Sequence, residues 1–287
     1  MVNEDFNQFS KEKLNNRSPL FKSVLRAAFT KCFEFNHFIS RPRELKSPFF
    51  LLGTVRSICE DLICLSYLKK LKANQREELI RFNHNFDIAK NIIAQKQFFD
   101  KYNAGQFVVQ PDHFADEDYL RFVTSKPHSR TKALKTGYNL YPSVFEMAKD
   151  AGYLDLYNYL YHASSSLVHF RSDVLLKLGW NKDQSDKRQN IYRYSTNKYS
   201  DYYAKFNLVY SGLLFCEFVF KFSKYLGLAK SLVGETNYFT ESFALFDWPE
   251  IMTYDHMNLQ QPTELHKQLR RSHFVVDAIR RKKPQLT

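Results

Sequence analysis

The amino-acid sequence predicts an all-α fold: a single helical bundle domain over residues 1–287, with a long irregular insertion over residues 103–141. Helix start and stop signals recur along the chain, and the apolar residues between them mostly follow helical spacing. Glycine accounts for only 8 of the 287 residues, whereas the usual share of about 7% would give about 20. This shortage argues against glycine-rich phosphate loops, and therefore against enzymes of the Rossmann or P-loop type.

The first three helices are predicted from their start signals. Ser18 and Ser47 each precede a proline, which is the order of a capping residue followed by proline at the first helical position. Asn74 provides a third start, because Glu77 follows it at the spacing of a capping box. These signals predict helices over residues 20–39, 47–71 and 74–102.

The predicted insertion is broken up by glycine and proline. It is either a functional or mobile segment, or an ordered excursion with one short helix over residues 116–123. The stretch from Tyr119 to Phe145 carries five basic residues and no acidic one. We predict that these basic residues contact nucleic acid: Arg121, Lys126, Arg130, Lys132 and Lys135.

The second half of the chain predicts four more helices. Pro142 starts a short helix that ends before Gly152, where glycine is a typical helix stop. Only residues 191–195 alternate enough to suggest a strand. The four helices are predicted over residues 142–151, 154–178, 202–226 and 263–282.

The most apolar stretch, residues 206–220, is predicted to be a buried core helix. Glu217 interrupts it and Lys205 and Lys221 flank it, which leaves fewer than the roughly 20 apolar residues that a spanning helix needs. The N-terminal residues include acids from the fourth position and lack the apolar core of a secretory signal. We therefore expect a cytoplasmic protein with no membrane partner.

The cysteines show no pattern of a metal site or a disulfide framework. Cys32, Cys59, Cys64 and Cys216 form no CxxC pair and lack histidines at zinc spacing. In a reducing cytoplasm such thiols are expected to be small buried hydrophobic residues. The sequence therefore predicts neither a metal nor a cofactor.

The helix predicted over residues 47–71 carries charges inside an otherwise apolar sequence. Between Ser47 and Leu68 the only charged residues are Arg56, Glu60 and Asp61. Arg56 and Glu60 are four apart and share a helix face. They form either an internal ion pair that fixes helix packing, or the lining of a polar cavity in which Arg56 binds a phosphate or carboxylate. Asp61, about 100° further round the helix, is expected to face solvent.

The helix predicted over residues 154–178 aligns histidine and serine side chains. His162, Ser166 and His169 are spaced i, i+4, i+7, and Asp173 extends the line by one turn. Imidazole exchanges protons near neutral pH, and a serine beside it is a candidate nucleophile. The alternative is structural: small serines admit a neighbouring helix, and His169 hydrogen-bonds across to it. The predicted catalytic residues are Arg56, Glu60, His162, Ser166 and His169.

Three motifs occur in order along the chain. They are Arg-x3-Glu at Arg56 and Glu60, Pro-x4-Met-Ala at Pro142, Met147 and Ala148, and Tyr-x4-Ser-x-x-His at Tyr161, Ser166 and His169. Together they resemble the bacterial family called domain of unknown function 5677, over about residues 49–173. The resemblance implies an all-helical fold in bacterial or phage-defence settings.

A weaker similarity is to HEPN ribonucleases, which are also helical bundles and carry Arg-x(4–6)-His on one helix. No arginine stands four to six residues before His169. A metal-independent ribonuclease would therefore need Arg56 to be supplied from another helix.

The formal net charge of +12 favours an anionic partner such as RNA or DNA. We expect a nucleic-acid- or nucleotide-directed enzyme, RNase-like, in bacterial stress or phage defence, with His169 as general acid or base, Arg56 stabilising phosphate charge and Glu60 orienting one of them. The alternatives are a non-catalytic module that binds nucleic acid or a protein partner, and a structural subunit or homo-oligomer with aromatic residues at its interface. Residues 263–287 form a basic C-terminal helix and tail whose predicted nucleic-acid contacts are Arg270, Arg271, Arg280, Arg281, Lys282 and Lys283.

Overall fold

The computed structural model describes residues 19–41, 47–103, 105, 142–168, 175, 178–181, 192–243, 245 and 247–251. Within these residues the regular secondary structure is helical apart from one pair of short strands, which confirms the all-α fold class. Contacts divide the chain into two compact units: Met1–Leu25 with Ile63–Leu154, and Arg26–Leu62 with Asp155–Thr287. The organisation as a single domain stays a prediction.

The described ranges contain seven α-helices. These are α1 (Leu20–Ile39), α2 (Leu52–Lys70, preceded by a 3-10 turn at Pro48–Leu51), α3 (Ala73–Tyr102), α4 (Val144–Ala151), α5 (Leu154–Val168), α6 (Ser200–Leu226) and α7 (Lys230–Phe243). Strands β1 (Gly179–Asn181) and β2 (Tyr192–Tyr194) pair antiparallel, which confirms the strand predicted within residues 191–195. The predicted helix over residues 263–282 and residues 106–141 of the predicted insertion lie outside the described residues.

In the first unit, Glu77 caps the N-terminus of α1. Its carboxylate oxygens accept hydrogen bonds from the backbone N–H groups of Leu20 at 2.7 Å and Phe21 at 3.3 Å. An acid at this position pairs N–H groups that have no partner within the helix, and it complements the helix dipole. The capping box predicted at Asn74 is therefore wrong, because α3 begins at Ala73 without a side-chain cap and Glu77 is bonded to another helix.

Local signals do fix α4, also in the first unit. The Ser143 hydroxyl accepts from the backbone N–H of Glu146, and the Glu146 carboxylate accepts from the backbone N–H of Ser143. These hydrogen bonds lower the pKa of Glu146. Gly152 ends the helix in the left-handed conformation, with φ of 82°. Met147 and Ala148, which follow the cap on α4, are both buried in the core.

In the second unit, Ser47 does not cap the helix that follows it. It precedes the 3-10 turn, but its side chain makes no capping hydrogen bond and its backbone is left-handed, with φ of 54°. Its hydroxyl donates instead to Oδ1 of Asn197 at 2.7 Å. The position of the start is therefore predicted correctly, whereas the role of the serine is different.

Helix α6 supplies much of the second unit's core. Leu214 and Phe218 are fully buried, and Phe29 of α1 lies 5.6 Å from Phe215 and 6.4 Å from Phe218 between ring centroids. Among the described residues, α6 is the helix long and apolar enough to cross a membrane by length and composition, a test that the core helix of a soluble protein also passes. About 61% of its most apolar window is buried within the protein.

Polar side chains inside this core connect α6 to other segments of the second unit. Asn36 of α1 donates to the backbone oxygen of Ser211, and the Ser211 hydroxyl donates back to Oδ1 of Asn36 at 2.9 Å. The Asn207 amide donates to the backbone oxygen of Pro48 at 2.8 Å. Each such bond contributes about 1 kcal/mol, and each is satisfied in only one rotation of α6.

Three tyrosine hydroxyls hold the segment 247–251. The hydroxyls of Tyr159 and Tyr210 both lie 2.6 Å from the backbone oxygen of Pro249 and 2.9 Å from each other. Tyr202 donates to the backbone oxygen of Glu250 at 2.6 Å. Burial raises the pKa of Tyr159 and of Tyr210, so both phenols stay neutral and able to donate.

Helix α7 was not predicted from the sequence. It contains Gly234 and several serine and threonine residues, which weaken helical propensity. Its last residue, Phe243, is buried against Gly212, where a Cβ atom would come within 2.9 Å of the Phe243 ring. The helix therefore depends on close approach to α6 more than on its own sequence.

Replacing Glu77 with alanine should lower the free energy of unfolding by about 1–2 kcal/mol, because two N–H groups at the start of α1 lose a charged acceptor. Urea unfolding of the full chain measures this. Glu78→Ala is the matched control, since it removes the neighbouring acid of the same helix and should change stability by less than about 0.5 kcal/mol. Equal effects of the two variants would contradict the capping role.

Candidate functional site

Arg56 and Glu60 form an ion pair on α2, in the second unit. Nε of Arg56 donates to Oε1 of Glu60 at 2.7 Å, across one helical turn. Their side chains keep 20% and 31% of their exposure. The pair is therefore partly buried, and part of each side chain still reaches the surface.

Tyr161 of α5 covers the face of the Arg56 guanidinium. Cζ of Arg56 lies 4.5 Å from the centroid of the Tyr161 ring, which is within range of a cation–π interaction worth about 0.5–2 kcal/mol. The first and third motifs therefore meet through these two residues. The Arg56 guanidinium is hydrogen-bonded by the Glu60 carboxylate at one edge and covered by the Tyr161 ring on one face. These two contacts fix its orientation.

Tyr157 lies one turn before Tyr161 on α5. The two rings are 5.5 Å apart between centroids. Burial is the main cause that raises the pKa of Tyr157; the negative charge of Glu60 adds to it, and the positive charge of Arg56 opposes it. The phenol is thus neutral and lies within the electrostatic range of the ion pair.

One nitrogen of Arg56 has no acceptor within the described part of the chain. Nη1 is buried, and no described residue accepts a hydrogen bond from it. Leaving a buried charged donor unpaired costs more than the roughly 1–3 kcal/mol of a neutral group. Arg56 therefore keeps one donor for which the described residues supply no oxygen acceptor.

His162 is the only predicted catalytic imidazole whose side chain falls within the described residues. It is exposed, and its ring lies edge-on to Tyr161 at 5.8 Å between centroids. Ser166 belongs to α5, whereas His169 lies outside the described residues, so their pairing stays a prediction. The neighbouring Ser164 is buried and donates to the backbone oxygen of Leu160, one turn earlier in the same helix.

A second ion pair lies beside the first on α2. Lys31 of α1 donates to Oδ2 of Asp61 at 2.6 Å and to the hydroxyl of Ser57 at 2.7 Å. The expectation that Asp61 simply faces solvent is therefore wrong, because α1 packs on this side of α2. Burial raises the pKa of Asp61 and the Glu60 charge adds to this, while Lys31 lowers it.

Sequence reasoning missed Lys31 and Tyr157 as parts of this region. Tyr157 carried a signal, since it stands four residues before Tyr161 and therefore on the same face of α5. Lys31 carried none, because its partners are 26 and 30 residues away in the chain.

The predicted nucleic-acid contacts cannot be placed relative to this site. They lie outside the described residues: Arg121, Lys126, Arg130, Lys132, Lys135, Arg270, Arg271, Arg280, Arg281, Lys282 and Lys283. In the ranges that are described, no group of three or more His, Cys, Asp or Glu side chains is arranged to hold a metal ion. Cys32, Cys59 and Cys216 are buried there, as expected for small hydrophobic residues.

The geometry joins two of the three sequence motifs, and a family comparison covers the same helices. Residues 52–188 match the model of DUF5677, a family of unknown function. The DUF5677 match includes Arg56, Glu60 and Tyr161, and therefore both helices that meet at the ion pair. Neither the curated proteins nor the solved structures contain a significant match to the chain. The similarity to HEPN ribonucleases stays a prediction.

Replacing Lys31 with methionine should destabilise the protein more at about pH 7.5 than at about pH 5, because Asp61 loses its partner and is costly only when ionised. A raised native pKa means that the folded carboxyl group binds a proton more readily than the unfolded one. The contribution of Asp61 to the free energy of unfolding is therefore lost as pH rises through its native pKa. Removing Lys31 makes this loss of stability larger. Urea unfolding at both pH values measures the difference.

Lys96→Met provides the control, because it breaks an exposed i,i+4 pair with Asp100 whose side chains are 41% and 62% exposed. Such a pair contributes about 0.3–0.5 kcal/mol, and its loss should depend little on pH. A Lys31 variant with the same loss at both pH values would show that Asp61 is well solvated without its partner.

Proposed function

We propose that the chain is a nucleic-acid- or nucleotide-directed enzyme in which Arg56 binds a phosphate group. The observation that carries this proposal is the buried Nη1 of Arg56, which has no acceptor among the described residues. The planar N–H donors of arginine match the oxygens of phosphate as well as those of carboxylate. The net charge of +12 favours the approach of an anionic substrate.

The orientation of the guanidinium supports this role. Glu60 binds Nε and Tyr161 covers one face, so the guanidinium is held by two partners. A side chain held in this way loses little further entropy when a ligand binds, because its rotamer is already fixed. Positioned donors of this kind also stabilise charge that develops on a phosphoryl oxygen during reaction.

The proposed reaction is ribonuclease-like and uses histidine for proton transfer. A general base takes the proton of a ribose 2′-hydroxyl, the oxygen attacks the adjacent phosphorus, and the bond to the 5′-oxygen breaks as a general acid protonates it. His169 is proposed for one of these roles and exposed His162, beside Tyr161, for the other. As in the HEPN similarity, arginine and histidine would act together without a metal, but here they come from two helices.

The alternative proposal is a non-catalytic module that binds nucleic acid, or a protein partner, in a bacterial defence complex. Its support is the clustering of basic residues in the sequence over residues 121–135 and 267–283. Such binding releases counterions and should weaken steeply with salt. The two proposals differ in whether the Arg56 site or these basic stretches are essential.

Replacing Arg56 with glutamine should reduce the rate of RNA cleavage about 100-fold or more, as the loss of a positioned donor does elsewhere. Arg56→Lys should recover part of the rate, because it keeps the charge but loses the planar fork. The assay uses a labelled single-stranded RNA with a chelator present, together with a thermal melt of each variant. Arg81→Gln removes an exposed arginine of α3 and is the matched control. Unchanged cleavage by folded Arg56→Gln protein would refute the proposed role.

Replacing His162 or His169 with alanine should abolish cleavage, and toxicity on expression in bacteria, while RNA binding and the melting temperature stay near wild type. Reversing the charges of Arg280, Arg281, Lys282 and Lys283 separates the two proposals. An enzyme with an internal site should keep cleaving a short RNA, whereas a surface binder should lose its affinity. Salt-sensitive binding without cleavage in the wild-type protein would favour the binding module.

A further inference from the structure

The charges next to the Arg56 site cancel one another. Arg56 is paired with Glu60 at 2.7 Å, and Lys31 is paired with Asp61 at 2.6 Å. The two acids are close enough for the charge of Glu60 to raise the pKa of Asp61. Among the described residues this environment is neutral, which contrasts with the net charge of +12 of the whole chain.

A neutral pair limits the charge of the anion that can bind. Nε of Arg56 is occupied by Glu60, and Tyr161 covers one guanidinium face, whereas the buried Nη1 has no acceptor among the described residues. A phosphodiester brings one negative charge, whereas a terminal phosphate brings about −1.5 to −2 at pH 7. The additional charge would stand near the Glu60 carboxylate, while Lys31, the other cation described beside the site, is already paired with Asp61.

Aromatic rings flank the same position. Tyr157 lies 5.5 Å from Tyr161, and exposed His162 lies 5.8 Å from it, between ring centroids. Rings beside a phosphate site give the bases on either side of an internal linkage a surface on which to stack. Inorganic phosphate has no base that could stack on these rings, and a mononucleotide has only one.

We propose that the Arg56 site, given the proposed function, selects an internal phosphodiester of a single-stranded nucleic acid over terminal phosphates, mononucleotides and inorganic phosphate. Glu60 is then a specificity-determining residue, because its carboxylate excludes the more highly charged phosphomonoesters. Arg56 supplies the attraction, and the rings of α5 supply the preference for a strand.

The test is a competition experiment on the full chain. The probe is a fluorescent single-stranded oligonucleotide with 2′-O-methyl ribose, which cannot be cleaved, and with hydroxyl groups at both ends. Competitors are the unlabelled oligonucleotide, the same strand with a 5′-phosphate, adenosine monophosphate and inorganic phosphate. We expect the 5′-phosphate to change affinity less than about twofold, and the two small anions to compete at least about 100-fold more weakly than the strand.

Replacing Glu60 with glutamine should improve competition by adenosine monophosphate about tenfold relative to the strand, because the repelling charge is removed and the shape is kept. Asp155→Asn, at an exposed position in the first turn of α5, makes the same change in net charge away from the site and should leave the ranking unaltered. If Glu60→Gln does not fold, the ranking of competitors on the wild-type protein still decides the question.

The possible failures are distinguishable. Strand binding that does not depend on Arg56, or no strand binding at all, refutes the proposed function itself. Strand binding that depends on Arg56, together with equal or better competition by adenosine monophosphate or inorganic phosphate, overturns only the diester selectivity. An unchanged ranking in folded Glu60→Gln protein overturns the role of Glu60.

Discussion

Arg56 and Glu60 bring two charges into a stretch of helix whose neighbours Val55, Ile58 and Cys59 are at most 1% exposed. Both side chains are only partly exposed, so the contact between Nε and Oε1 lowers the cost of removing their charges from water where α2 packs. The Tyr161 ring on the guanidinium face is the second contact, and it ties α5 to α2 at this turn. The proposed phosphate site uses Nη1 of Arg56, for which neither Glu60 nor Tyr161 supplies an acceptor.

The pair between Lys31 and Asp61 imposes a related constraint from another side of α2. Asp61 follows Glu60 by one residue and therefore lies about 100° further round the helix. With Arg56 facing α5 and Asp61 facing α1, the helix has one rotation in which both acids have partners. A local electrostatic requirement thus sets the direction in which Arg56 points, and it also makes the surroundings of Arg56 neutral.

Aromatic residues do more in the second unit than fill its core. Phe29 packs against Phe215 and Phe218. By contrast, Tyr159, Tyr202 and Tyr210 each use a hydroxyl to hold the backbone of residues 249 and 250. Buried tyrosine needs such a partner, because its hydroxyl would otherwise be desolvated without compensation. The tyrosine content therefore reflects specific backbone contacts as well as apolar area.

The sequence by itself determined the helical class, the bounds of α1, the stop at Gly152 and the sharing of one face by Arg56 and Glu60, since each depends on residues within a few positions of one another. Only the tertiary structure decided that Glu77 caps α1, that Lys31 neutralises Asp61, that α7 forms against Gly212 and that Tyr161 covers Arg56. These contacts join residues that are distant in the chain, and their free energy exists only after the helices have packed. Local propensity and residue spacing do not predict partners that are distant in the chain. The pair of Arg56 and Glu60 could therefore be predicted from the sequence, whereas its contacts with α5 could not.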